Sequence, residues 1–137
     1  MNPGQFASEH LVLHEPVKNQ IFNDSTFARI VYSNNVITTN GIVLKLDIKG
    51  ATIDKRFNKT TIQFNIYNNS DLIAIVQRIE RGLLSAIHRK TPVFGLYNEL
   101  ATGRIVVHDY NDIVVLKISG IWETELNCGI TYKFVCV

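Results

Sequence analysis

Residues 70–89 read SDLIAIVQRIERGLLSAIHR, and the spacing within this stretch decides the fold. Leu72, Ile75, Val76, Ile79, Leu83, Ala86 and Ile87 recur at three- and four-residue steps, which puts them on one face of an α-helix. Ser70 is a favourable N-cap, Asp71 suits the positive start of a helix, and Arg89-Lys90 suit its negative end. Pro92 follows as a stop signal. A helix over about 70–89 with a single apolar stripe needs a surface to cover. Leu72, Val76, Ile79, Leu83 and Ile87 are therefore expected to pack across a sheet.

The sequence on both sides supplies strands. Upstream, residues 42–48 alternate, with Ile42, Leu44, Leu46 and Ile48 inward and Val43, Lys45, Asp47 and Lys49 outward. Asn40-Gly41 before them is a tight-turn dipeptide, and 27–33 reads as an earlier strand ended by Asn34-Asn35. Gly50 breaks the run, and 51–57 reads as a short continuation or hairpin return. Residues 60–67 form a further expected strand, with Ile62, Phe64 and Ile66 on one face and Thr61, Gln63, Asn65 and Tyr67 on the other. Downstream, 95–103 reads as a loop, followed by strands over 104–108, 113–122 and 130–137. Trp122 continues the phase of Val114, Leu116 and Ile118, which makes core packing and base stacking competing roles for it.

Residues 1–25 contain Pro3, Gly4, Pro16 and the turn-like Asn23-Asp24-Ser25, and read as an N-terminal arm with a short edge strand at Leu11-Val12-Leu13. Residues 26–137 then form a single β-rich domain. The fold class expected is β-rich α+β. Strands, one long helix, then strands permits a small OB-like antiparallel barrel, and equally an antiparallel sheet under a helix inserted before the last strands.

Length and composition agree with one compact domain: 137 residues, 46% hydrophobic and 19% charged, which excludes a disordered or coiled-coil chain. No run approaches the roughly 18 apolar residues of a membrane span, and residues 1–20 lack the basic-then-apolar pattern of a secretory leader. The N-x-[ST] triplets at Asn23, Asn58 and Asn68 consequently carry no weight. Cys128 and Cys136 are too few for a disulfide scaffold or a zinc ribbon, so reduced thiols in the cytoplasm or nucleus are expected.

Catalytic signatures are missing. The phosphate-cradling glycine motifs, the G-x-S-x-G elbow and H-E-x-x-H do not occur. His10 and His14 lack a nearby third ligand, so solvated imidazoles in an arm outweigh a metal site. His108 and Asp109 are adjacent and would point to opposite sides of a strand. Cys128 has Glu123 and Glu125 as its nearest charges, which disfavours a reactive thiolate. The reading is a binding protein without enzymatic activity, metal or cofactor.

Charge is uneven along the chain: the net is −1 over 1–40, +5 over 41–90 and −2 over 91–137. A local positive field attracts polyanions even when the whole molecule is nearly neutral. Single-strand binders pair a cationic groove with exposed rings, because every base has a π-face. Lys45, Lys49, Lys55, Arg56 and Lys59 are the expected phosphate contacts, with Tyr67 and Trp122 as stacking rings. Arg78 and Arg81 read instead as solvated helix side chains.

Residues 116–125, LKISGIWETE, followed by Gly129-Ile130-Thr131-Tyr132-Lys133-Phe134, resemble the tail of small single-stranded-DNA-binding proteins of large DNA viruses. There a strand leads through a Trp to a polar turn, and a Gly opens the last strand. Residues 27–33 and 39–42 are compatible with the same group. The resemblance implies an OB-like barrel coating single strands during replication or recombination, assembled as a homo-oligomer, with the final hairpin as scaffold. It carries over no functional residue, and the apolar Phe134-Val135-Cys136-Val137 stands where many such proteins have an acidic tail. The competing class is a structural or assembly protein that packs through its β surface.

Overall fold

The computed structural model describes residues 1–18, 25–34, 37–108 and 110–137. The turn expected through Asn23 and Asp24, the break at Asn35 and the carboxylate of the His108-Asp109 pair lie outside them. Along the chain run β1 Leu11–Leu13, β2 Val17–Lys18, β3 Thr26–Ser33, β4 Thr38–Asn40, β5 Ile42–Leu46, β6 Thr52–Arg56 and β7 Lys59–Gln63. After them come α1 Ser70–Leu84, β8 Thr91–Val93, α2 Gly95–Ala101, β9 Arg104–Val107, β10 Val114–Glu123 and β11 Asn127–Cys136. No helix among the described residues is long and apolar enough to cross a membrane.

The class is β-rich α+β. β10 is the hub of a large sheet: β11 lies antiparallel along one edge, while β5 and then the first half of β3 share the other. The second half of β3 pairs with β1 and β4, its start pairs with β2, and β8 runs parallel to the beginning of β11. A separate three-stranded antiparallel sheet has the order β6-β7-β9. Neither strand order returns to its first strand, so among the described residues both sheets are open and no barrel closes. One hydrophobic cluster joins the inner faces of both sheets to α1 and α2.

The helix is shorter than the periodicity predicts. It stops at Leu84, where the Ser85 hydroxyl donates to the Gly82 carbonyl oxygen and competes with the helical pattern. Val76, Ile79 and Leu83 are buried as expected, together with Ile73 and Leu84, while Leu72, Ile75 and Ile87 are half-buried. Lys90, beyond the end, donates to the carbonyl oxygens of Thr124 (2.5 Å) and Glu125 (3.2 Å) and closes the β10–β11 turn. The N-cap is Asn69 rather than Ser70. Its side chain bonds the Lys49 N–H and the carbonyl oxygens of Lys49 and Asn65, tying the 49–50 turn to the helix entrance.

Three other expectations change. Residues 95–101, read as loop, form α2, whose start is held by a carboxylate far away in sequence: Glu80, wholly buried, accepts the N–H groups of Leu96 (3.0 Å) and Tyr97 (2.9 Å). Pro92 sits inside an exposed edge strand, where a missing N–H costs no ladder bond. Gly41, with φ +82°, is no hairpin turn, because β4 pairs with β3 whereas β5 pairs with β10. It is the kink at which the chain changes partners. The edge strand expected at Leu11-Val12-Leu13 is present as β1, paired with β3, and around it the Met1 carbonyl oxygen accepts the Lys45 N–H and Phe6 stacks at a tilt on the buried Tyr32.

Candidate nucleic-acid interface

Directly paired residues in a sheet share a face, so the register sorts the large sheet into two sides. Val114, Leu116, Ile118, Ile130 and Phe134 point into the core. A β-bulge between Ile118 and Gly120 then reverses the alternation along β10. After it Ile121 is the buried residue, and Trp122 turns outward. The phase that would have sent Trp122 inward is broken by one extra residue, Ser119.

Trp122 is paired with Phe27 on one side and Gly129 on the other, and a Cβ on Gly129 would collide with the indole. The ring therefore lies flat over the glycine. Gly120 makes the same allowance for Phe27, whose ring would be 2.5 Å from a Cβ there. Both rings are half-buried. Val17, paired with Phe27, and Val93, paired with Gly129, extend this row to both sides and are exposed.

Cations occupy the neighbouring rows of the same face. Arg29 and Thr131 flank Gly120; Lys117 stands directly opposite Lys133, with Val43 beside it; Lys45 is paired with Val115. Arg29, Lys45, Lys117 and Lys133 are exposed, and none has a carboxylate within ion-pair reach among the described residues. Like charges directly opposite one another destabilise a sheet. The outward positions of these strands hold four cations and no Asp or Glu.

Of the residues singled out by sequence, this face brings together Lys45 and Trp122. Lys55, Arg56 and Lys59 belong to the β6–β7 hairpin of the small sheet. There Lys55 Nζ lies 5.1 Å from the Tyr110 ring centroid, and Arg56 Nε lies 3.3 Å from Asp54 Oδ2. Lys49 follows the end of β5 in a turn. Tyr67 is not on a strand: Asn65 Oδ1 accepts the N–H groups of Tyr67 and Asn68 and bends the chain after β7. Its ring is 82% exposed, at the helix entrance near Lys49 through their common neighbour Asn69. The expected set is thus divided among three places.

Arg29, Lys117, Lys133 and Phe27 were not singled out by the sequence, and neither was Phe57 at the hairpin tip. A signal existed for the first group: a lone Gly120 inside a strand pattern marks a bulge, and placing one there reverses Trp122.

His10 packs edge-on against Tyr32, while His14 is exposed and its backbone N–H donates to the Arg29 carbonyl oxygen. Cys128 is buried; burial, with Glu123 acting in the same direction, pushes its thiol up and disfavours the thiolate. Tyr132 donates to Glu99 (2.8 Å), and burial followed by that bond raises its phenol far above the usual range. No group of three His, Cys, Asp or Glu among the described residues is placed to hold a metal. No family profile, curated protein or solved structure matches the chain.

Proposed function

We infer that the protein binds single-stranded nucleic acid, with little regard to sequence, on the outward face of its large sheet. The carrying observation is the coincidence on one face of four exposed, carboxylate-free cations and the glycine-seated Trp122. Phosphates relieve the Lys117–Lys133 opposition, and the indole offers a base its free side. The segment with the viral resemblance supplies Lys117, Gly120, Trp122, Gly129 and Lys133, which favours single-stranded DNA of replication or recombination as the ligand. The reading needs an open sheet face and does not depend on closure into an OB-like barrel.

A self-assembly reading draws on the apolar row Val17, Phe27, Trp122 and Val93. A two-fold interface through this face would set its cations against their own copies, which disfavours it. Fluorescence anisotropy with labelled oligo-dT and a matched duplex, across a salt series, separates the two. Single strands should bind more tightly, with log K falling against log salt at a slope of about −3 for four phosphates at roughly 0.7 each. Trp122→Ala should weaken binding by about 1–3 kcal/mol and leave the slope unchanged. A folded protein that binds neither form at about 50 mM salt, and whose oligomer grows with concentration, would belong to the assembly class.

A further inference from the structure

Phe57 stands at the tip of the β6–β7 hairpin with its whole side chain in solvent, at 110% relative exposure. It makes no ring or cation contact with any described residue. Its φ is +49°, in the left-handed region, at the first central position of the two-residue loop between the paired Arg56 and Lys59. Asn58, the second central residue, has no positive φ. Glycine is the usual occupant of such a first position. Exposure and backbone strain both oppose folding, and no ring or cation contact with a described residue offsets them at this position.

Two properties of the tip define what it fits. The phenyl ring is free on both sides, whereas Trp122 is blocked on one by Gly129. A one-sided ring caps a base; a two-sided ring can be sandwiched. Arg56 and Lys59 face each other across the loop, their Cβ atoms about 5 Å apart as in any directly opposed pair, and their long arms can straddle one base step. Lys59 has no carboxylate partner among the described residues, and Asp54 engages Arg56 only at an exposed position.

The geometry points to Phe57 as an intercalating ring that enters between two neighbouring bases of a single strand, while Arg56 and Lys59 hold the phosphates on either side. This rests on the single-strand reading of the sheet face and adds a second, chemically distinct contact to it. A lone phenyl offers too little apolar surface to anchor a bilayer, which favours bases over lipid.

The test uses an oligo-dT strand with one 2-aminopurine between adenines, whose emission is quenched by stacking on its neighbours. Binding of the wild type should raise that emission. Phe57→Gly should abolish the rise and weaken binding about 5- to 150-fold, the effect of losing one stacked ring. Its melting temperature should stay level or climb, since glycine adopts a positive φ without strain. Phe57→Tyr should keep the rise, and Phe57→Leu, apolar but without a π-face, should lose it. Tight binding by Phe57→Gly with an unchanged emission rise overturns the intercalation and leaves the sheet-face reading standing. If neither wild type nor variants bind the strand, both fall. Capture of the wild type by phosphatidylserine vesicles, lost in Phe57→Gly and without a 2-aminopurine signal, would make the tip a membrane contact instead.

Discussion

The sheet face around Trp122 and the hairpin tip at Phe57 combine the same two ingredients, cations and an aromatic ring, by opposite routes. The tip is local: Asp54 through Lys59 lie within one hairpin, and its geometry follows from a single turn. The face is topological, because Arg29, Lys45, Lys117 and Lys133 come from β3, β5, β10 and β11 and meet only after those strands pair. A ring seated on a sheet is braced and one-sided; a ring on a turn is unbraced and two-sided. Damage to packing should therefore separate the regions, since the face inherits every disturbance of the sheet and the tip inherits few.

The largest effect should come from the core that both share. Ile79→Asp places an unpaired charge at a buried position of α1 and should cost roughly 3 kcal/mol or more, erasing face and tip together. Thermal melting followed by circular dichroism measures it, and an unchanged midpoint would show that α1 does not cover the sheet. Next comes Gly120→Ala, whose new Cβ would meet the Ala28 carbonyl oxygen and the Phe27 ring. Backbone cannot give way as a flexible side chain can, so a loss of about 2–3 kcal/mol is expected. Anisotropy should then show the face impaired while Phe57-dependent 2-aminopurine emission survives in the folded fraction.

Glu80→Gln provides a change that belongs to neither region. The amide can accept from only one of Leu96 and Tyr97, and leaving the other N–H unmet should cost about 1–3 kcal/mol. Burial raises the Glu80 carboxyl above its ordinary 4.5, against the opposing pull of the two N–H groups. Since the folded state holds this proton more tightly, its contribution to stability is fullest below 4.5 and is lost as pH rises through the raised value. The melting-temperature advantage of wild type over Glu80→Gln should consequently shrink from acid toward neutral pH. Binding of oligo-dT by the folded variant should be unaffected.

The smallest and most discriminating effects lie in the salt slopes. Lys117→Ala with Lys133→Ala should reduce the slope by about 1.4, at roughly 0.7 per lost phosphate contact. Relief of the like-charge opposition should raise stability by a few tenths of a kcal/mol. Lys45→Ala should remove about 0.7, and Lys49→Ala close to nothing, because Lys49 lies beyond the strand that carries Lys45. Equal effects of Lys45 and Lys49 would move the ligand path toward the helix entrance and Tyr67.

The same contrast explains what could be read from the chain beforehand. Periodicities of two and 3.6 residues revealed β5, β10 and the apolar stripe of α1, since burial acts on each element separately. Charge counted in sequence windows pointed to the middle third, whereas Lys117 and Lys133 lie in the net acidic third and are brought to Lys45 by register. Tyr67 was misplaced because the Asn65 side chain ends β7 early, a choice that alternation of residue types does not reveal. Glu80 showed nothing of its role, as the N–H groups it satisfies are on another helix.

The central place of β10 also has a consequence for the order of events during synthesis. Its neighbours β3 and β5 leave the ribosome long before it does, and β5 together with the first half of β3 must wait for this central partner from the last part of the chain. Contacts so distant in sequence close large loops before they repay the lost entropy, which places folding toward the slow, millisecond-to-second end of the range. Until β10 arrives, β3 has only the short strands β1, β2 and β4 beside it, and β5 has no strand partner among the described residues. The nascent chain should spend that interval as a client of whatever shields exposed strands in its cell.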